Sequence, residues 1–593
     1  VKEPGGPTLV TGPQEVMTIR EGEWEGFWHR DSVRWLEIEC AIERIRFLAK
    51  ESPPLKRVDP ESFDFGVSLM KPETGKGVDS WAAWELKQLE EEDKAELGDI
   101  YADMEKHMVP PIQLLLNIIA ILGKANGGDR PIALMAMIYR LWARIRRVDT
   151  DAWCDQRAGH WDRAVKGSSA LRGALSRLLR DEVARVHGHS VGTVLWDLEK
   201  FYDTISIVML VAAGLERRYP IRQFAMGLIM HLAPRTLRAK GIVSKRVQVS
   251  TSIVAGCTQS NHFARLALYS ILEEAHAAVS PERGLQQGPR LPLMGSQGPE
   301  VHLTQFVDDL GQQALGEGPT TVIRVLGEAA SKLGRSLKAN GFRVSPKLTI
   351  TGSHPRIPRE VLDQLIRAGV LPELTEEQRA QVLPSQARDL GVASTGARKR
   401  GTALQRGRIA SAKKRAGKVK VLAKITKRAR KLFTTGVLPE AMWGAEGFGL
   451  TPGQLDSLER LGAKCVAMPA GACRTTILAL NFAPHMHPRV RYLWSLFKEW
   501  AHLWSNEVGG YRSDLIRAWR LRYHKLIVAP RRWALVRGPM TALLASCMDV
   551  AWNPYTPINF KRKSGAELCL SNMWQIRSAI TEDIWDDAWE AAT

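Results

Sequence analysis

Cysteine is scarce. The 593 residues contain seven, at positions 40, 154, 257, 465, 473, 547 and 569, with no Cys-x-x-Cys pair among them. An odd count at these spacings excludes a disulfide scaffold and a zinc knuckle, and predicts a reducing, intracellular setting, nucleus or cytoplasm. Long apolar runs are missing too. The longest, Ile112 to Leu122, is interrupted by Gln113 and Asn117 and is too short to cross a bilayer, so no membrane partner is expected. No signal-peptide pattern precedes it, and Val1 in place of Met reads as the start of a fragment of a longer protein. Acidic charge is in deficit: 63 Asp and Glu face 83 Lys and Arg, a net charge of +20. With 45% hydrophobic and 25% charged residues, the chain has a globular rather than a disordered composition. Its length calls for several lobes, and the basic surplus favours a polyanionic partner.

What is present is ordered along the chain. Residues 1 to about 65 are irregular apart from a helix expected over Trp24 to Lys50. Glycines mark 73–79 as a loop, and a charged helical stretch from Trp81 to Lys106 stops at Pro110-Pro111. A Gly127-Gly128 turn leads into Arg130-Pro131-Ile132. Leu171, Leu175, Leu178, Leu179 and Val183 recur at helical spacing, which predicts an amphipathic helix over Ser169 to Val186. Val191 to Trp196 is a β-rich run closed by Asp197. Val301 to Val307 is a second, closed by Asp308-Asp309, and Leu310 to Leu315 reads as the returning strand of a hairpin. Ser250 to Leu272 is expected to start with a glycine turn and continue as a helix, and Thr320 to Ala339 is helical by pattern. From Ala397 to Leu432 the chain is strongly basic and reads as a helix pair. Beyond about 485 it is Trp-rich and helical, more in keeping with a packed core than with a base-stacking platform. His160, His187, His189, His262 and His302 form no metal-spaced set and read as structural or surface residues.

The carboxylates carry the chemistry. Nucleotidyl transfer needs an attacking hydroxyl activated and a leaving pyrophosphate stabilised, which two divalent cations can do together. Mg²⁺ wants hard oxygen ligands, so a minimal site needs two or three aspartates at the ends of adjacent strands. Asp197, Asp308 and Asp309 supply that set. Taken singly, an Asp at a strand end is most often a cap or a turn former, and an Asp-Asp pair is common. Their weight comes from order and surroundings.

Those surroundings resemble the reverse transcriptases of non-LTR retroelements and group II introns. Asp197-Leu198-Glu199-Lys200-Phe201-Tyr202-Asp203 is similar to the family's first catalytic motif, and Phe306-Val307-Asp308-Asp309 to its aromatic-x-Asp-Asp box. Between them, Ala255-Gly256-Cys257-Thr258-Gln259 resembles the Gly-x-Pro-Gln-Gly loop that opens the helix under the incoming base pair. Thr74 to Trp81 resembles the start of the fingers, and Lys124 through Arg130-Pro131-Ile132-Ala133-Leu134 the fingers hairpin. Gly341 to Thr349, with Ser345-Pro346-Lys347, resembles the lysine-bearing segment after the palm helix. Asp389-Leu390-Gly391-Val392 is like the Leu-Gly turn of the primer grip, and Trp443-Gly444-Ala445-Glu446 like the Tyr-Gly-x-Glu downstream of the palm. The likeness covers about 70 to 470. It departs at Thr258, at Ser260, where Gly is usual, at Asn261-His262-Phe263, where a Ser-Pro pair is usual, and at Phe306, where Tyr is usual.

The resemblance implies an α+β right hand. Its parts would be an N-terminal extension (1–69), fingers (70–190), a palm with a small antiparallel sheet and part of the fingers (191–395), a basic helical thumb (396–484) and a Trp-rich helical C-terminal region (485–593). It implies DNA synthesis on an RNA template from a 3′-hydroxyl DNA primer. Asp197, Asp308 and Asp309 would bind two Mg²⁺ ions, or Mn²⁺, with Asp309 the least intimate with metal. Tyr202 would be the gate against a ribose 2′-hydroxyl, Lys124 and Arg130 would contact the dNTP triphosphate, and Gln259 the nucleotide or template backbone. Lys347 would protonate the leaving pyrophosphate. The basic stretch, with Arg398-Lys399-Arg400 and Lys413-Lys414-Arg415, has few acids to offset it, so a thumb gripping a phosphate backbone is the expected use; nuclear import is a second. An RNA-dependent RNA polymerase shares the palm but usually has Gly before Asp-Asp, where Val307 stands. A decayed palm serving as an RNA-binding or maturase-like protein is the non-enzymatic alternative, which the three retained aspartates disfavour.

Overall fold

A computed structural model describes residues 10–124, 129–239, 241–279, 300–396, 400–466, 474–570 and 577–590. Its strands, in chain order, are β1 (Asn117–Gly123), β2 (Asp129–Leu134), β3 (Ser190–Trp196), β4 (Arg235–Ala239), β5 (Ile242–Val243), β6 (Glu300–Phe306), β7 (Asp309–Gly316), β8 (Thr349–Gly352), β9 (Ala387–Asp389), β10 (Val392–Ser394), β11 (Asn559–Lys561) and β12 (Glu567–Cys569). The helices used below are α1 (Pro13–Trp28), α2 (Ala170–Val186), α3 (Phe201–Thr204), α4 (Ser260–Val279), α5 (Pro319–Ala339), α6 (Arg356–Arg367), α7 (Ala403–Ile425) and α8 (Pro539–Asp549). The fold class is α+β, mostly helical, with small and largely antiparallel sheets.

The chain divides into two compact units, Val1–Gly159 with Leu198–Glu274 and Ser336–Ser345, and His160–Asp197 with Ala275–Arg335 and Pro346–Thr593. In the first unit the sheet order is β2-β1-β4-β5, with β1 and β2 an antiparallel hairpin and β4 parallel to β1. Of the apolar run Ile112 to Leu122, Ile112–Leu114 is a short 3₁₀ turn and the part from Asn117 on is the first strand of that hairpin. The N-terminal segment is no loose extension: Met17, Trp24 and Trp28 of α1 share one core with Tyr139, Trp142 and Met226. The helix expected over Trp24 to Lys50 is two, α1 and Trp35–Glu51. The charged stretch from Trp81 likewise splits, into Ala83–Leu86 and Glu91–His107.

In the second unit the sheet order is β6-β7-β3-β8, antiparallel throughout. Alternation along β3 sets its faces. Gly192, Val194 and Trp196 point to α5 and α6. A Cβ on Gly192 would lie 2.8 Å from Ile357 and Leu326 side-chain carbons, so the helices sit directly on the strand. Trp196 donates to Gln312 (3.1 Å), which donates to the Ala329 carbonyl (3.3 Å). The outer edge of β6 is covered by residues 161–163, through Arg163 N to Gln305 O (2.7 Å) and Gln305 N to Trp161 O (2.8 Å), which protects it from foreign pairing.

The other face of the sheet packs on α2. This helix is not amphipathic: every residue from Gly173 to Ala184 is buried, four of them charged. Arg172 pairs with Glu499 (2.8 Å), Ser176 donates to Glu507 (2.8 Å), and Glu182 accepts from the Met540 (2.8 Å) and Thr541 (3.1 Å) amides at the start of α8. The polar positions of α2 thus anchor the Trp-rich C-terminal region instead of facing water. That region shares one core with α2, with Trp500, Trp519 and Trp552 buried in it.

Candidate catalytic site

Strand register brings the carboxylates together. Trp196, the last residue of β3, pairs with Leu310 of β7, and Phe306 of β6 pairs with Asp309. Continued by one residue, the β3–β7 register sets Asp197 opposite Asp309 at the same end of the sheet. Both belong to the set whose side chains alternate onto the α2 face, as Gly311 does beside Thr304 and Arg177. Asp197 and Asp309 are exposed and Asp308 is half-buried.

The turn between β6 and β7 has two residues, Val307 and Asp308, and Val307 has φ 60°. A β-branched residue there is a backbone outlier and costs about 1–2 kcal/mol. The tight reversal is held by Gln305, whose side-chain amide donates to the Val307 carbonyl (3.0 Å). The turn puts Asp308 and Asp309 at the tip of the hairpin.

The Asp309 carboxyl is pushed up to about 6 by partial burial first, and then by the negative charges of Asp308, Asp389 and Asp197, with Arg177 pulling the other way. Solvent still reaches the residue. Repelling carboxylates that are open to water favour an added cation. The nearby guanidinium is already committed: Arg177 grips Asp389 through Nε (2.7 Å) and Nη2, and donates from Nη1 to Thr304 Oγ1. Lys347 lies exposed in the turn before β8. Because β8 pairs antiparallel with β3, from Leu195↔Thr349 to Gly192↔Gly352, that turn is at the carboxylate end of the sheet. Among the described residues, no three His, Cys, Asp or Glu side chains are already gathered closely enough to hold a metal ion. Side-chain rotation about the aspartates would have to complete a ligand shell.

The residues expected to contact the nucleotide, Lys124, Arg130, Tyr202 and Gln259, belong to the first unit. Lys124 and Arg130 are exposed at the end of the β1–β2 hairpin where β1 leads into β2. Tyr202, on α3, is half-buried; its hydroxyl donates to Asn261 Oδ1 (2.9 Å) and its carbonyl accepts from Ile253 N (3.0 Å). Asp203, which closes the first motif, is an interior residue: it accepts from Trp28 Nε1 (2.9 Å), and burial raises its carboxyl, opposed by Trp28 and Arg235.

Gln259 is 1% exposed and its side chain faces the interior. The turn before α4 directs it against Gly227, where an added Cβ would lie 1.9 Å from its Oε1. Neither Oε1 nor Nε2 has a hydrogen-bond partner.

The basic stretch is one long helix, α7, followed by the short Lys427–Arg430 helix, rather than a pair of equals. Gln405, Ala412, Ala416 and Val419 turn inward, while Arg406, Lys413, Lys414, Arg415, Lys418, Lys420 and Lys424 are exposed. Arg415 also pairs with Glu440 (3.0 Å). Arg400 serves the interior instead of a partner: it donates to the Phe448 (2.9 Å) and Gly449 (2.6 Å) carbonyls and its guanidinium lies 4.7 Å from the Trp533 ring centroid. Arg398 and Lys399 lie outside the described residues.

Three features were missed in the sequence. The Arg177–Asp389 pair joins residues 212 positions apart. Arg408 donates to the carbonyls of Gly391 and Trp443. Glu446 is buried, and its carboxyl is pushed up to about 7 by burial first, with repulsion from Glu499 adding to it. The one signal for Arg177 was a charged residue inside an apolar helical pattern.

A scan against protein-family models and a search of curated proteins return no match to this chain. No described helix is long and apolar enough to cross a membrane.

Proposed function

We propose that the chain is an RNA-directed DNA polymerase with a right-hand architecture. The sheet β6-β7-β3-β8 would be its palm and α7 part of its thumb. The observation that carries this reading is the strand register that sets Asp197 against Asp309, with Asp308 in the adjoining turn.

Asp197, Asp308 and Asp309 would hold Mg²⁺, a hard cation suited to carboxylate oxygens. When bound, the ions supply the charge that activates a primer hydroxyl and stabilises the leaving pyrophosphate. The chain's own residues do the rest. Lys347, at the same sheet end, gives a proton to the leaving group. Arg130 offers a planar fork of donors to a triphosphate and Lys124 a point charge. Tyr202 places an aromatic ring against the sugar, so that a 2′-hydroxyl clashes. The exposed lysines of α7 neutralise backbone phosphates, which makes binding salt-dependent. Gln259 has no part in this scheme.

Primer extension on poly(rA)–oligo(dT) with dTTP and with UTP tests the reading, for the wild type and Asp308→Asn. Mg²⁺-dependent incorporation of dTTP over UTP is expected, with a loss on the order of 10³-fold in the variant. No extension with RNA binding intact would leave a non-catalytic RNA-binding palm, and equal use of UTP would make the protein an RNA polymerase.

A further inference from the structure

Two arginine contacts, one half-buried and one buried, connect the basic helix to the carboxylate end of the sheet. The first is at Arg408, five residues before Lys413 on α7. Its guanidinium donates from Nη2 to the Gly391 carbonyl and from Nη1 to the Trp443 carbonyl. Gly391 is the second residue of the β9–β10 turn, where Leu390 (φ 48°) and Gly391 (φ 85°) are both left-handed. Such a two-residue turn fixes hairpin register tightly. The approach is close on both sides. A Cβ on Gly391 would meet Trp443 Nε1 at 2.6 Å, and one on Gly444 would meet the Gly391 carbonyl oxygen at 3.3 Å.

The second contact is beside the same turn, two residues before Gly391. Asp389, the last residue of β9, is 5% exposed and is held by both Nε and Nη2 of Arg177. The same guanidinium reaches Thr304 on β6, two residues before Phe306 and the Asp308–Asp309 turn. A bidentate arginine holds direction as well as distance.

We propose that Arg408 and Arg177 are positioning residues, which tie the basic helix α7 through the β9–β10 hairpin to strand β6, which leads into the Asp308–Asp309 turn. A duplex gripped by the lysines of α7 is thereby held in register with the carboxylates. The proposal rests on the polymerase reading for its catalytic consequence, though not for the linkage itself. Small misplacements of reacting groups are costly in rate, so a loosened linkage should appear in turnover while affinity stays with the lysines.

Full-length Arg408→Gln, Arg408→Lys and Asp389→Asn test this by steady-state extension and by amide hydrogen exchange over residues 304–311. Arg408→Gln should lower kcat by about tenfold to a hundredfold with KM for template–primer within about twofold. Arg408→Lys should stay impaired, because one ammonium does not reproduce the fork that spans two carbonyls. Exchange over 304–311 should quicken in all three variants. A normal Arg408→Lys enzyme, or a raised KM with kcat unchanged, would reduce Arg408 to a charge contact and overturn the proposal. So would exchange at the wild-type rate in variants that keep the wild-type thermal midpoint. If the wild type makes no product, the polymerase reading fails, while the exchange measurement still decides the linkage. Asp389→Asn covers the case in which the Arg408 variants do not fold.

Discussion

The Asp197/Asp308–Asp309 sheet end and the Gln259 turn both entered as family-like motifs, and the structure treats them oppositely. At the sheet end, backbone pairing dictates where each side chain goes. Asp197 and Asp309 follow from the register and end up open to water. At Gln259 no ladder fixes direction, and the side chain turns into the α4 core beside Gly227. A motif on a paired strand therefore carries its geometry with it. A motif on a turn carries only its residue types.

Substitutions can break or sharpen this contrast. Asp197→Asn should cost extension on the order of 10³-fold and leave the thermal midpoint unchanged, because the residue is exposed; a full loss of folding instead would make the aspartate structural. Glu446 extends the inward-turned class to a titratable group. Its carboxyl rises from 4.5 to about 7 on folding, so the folded protein holds a proton that the unfolded chain has lost. Stability should then fall as pH rises from about 4.5 to 7 and stay lower above, a total of about 3 kcal/mol. Thermal melts of Glu446→Gln should match the wild type near pH 5 and exceed it near pH 8.

Smaller effects are expected on the open, charged side. Replacing Lys413, Lys414 and Lys418 together with Ala should weaken duplex binding by about tenfold to a hundredfold and lower the slope of log K against log salt by about 3. An unchanged slope would place the duplex elsewhere. The smallest change is expected at Gln259. Gln259→Met removes a buried amide that has no partner and should raise stability by about 1 kcal/mol with KM for dNTP unchanged. A raised KM would return Gln259 to the nucleotide.

Much of the fold was legible where local pattern and final environment agree. The strands ending at Asp197 and Asp308-Asp309, their hairpin, and α5 were all readable, because β-rich runs bounded by turn residues behave alike in sequence and in the sheet. The amphipathic reading of α2 failed because Arg172, Arg177 and Glu182 are satisfied by groups 212 to 359 residues away, and no local pattern records such partners. The same holds for Arg400, a basic residue in a basic stretch whose donors go to Phe448 and Gly449. The helix expected from Trp24 became two because a short Ser32–Arg34 turn of 3₁₀ helix intervenes. The docking of the Trp-rich region onto α2 was illegible for the same reason as its arginines.

The most direct test of the central claim is Mn²⁺ binding to the sheet end, read by the loss of free Mn²⁺ signal in electron paramagnetic resonance at pH 7.5 with template–primer and dNTP present. The wild type is predicted to bind Mn²⁺, more weakly near pH 5, where Asp309, with its carboxyl near 6, takes up a proton. Asp197→Asn and Asp308→Asn are predicted to lose that binding. Equal Mn²⁺ binding by the wild type and both variants would contradict the account.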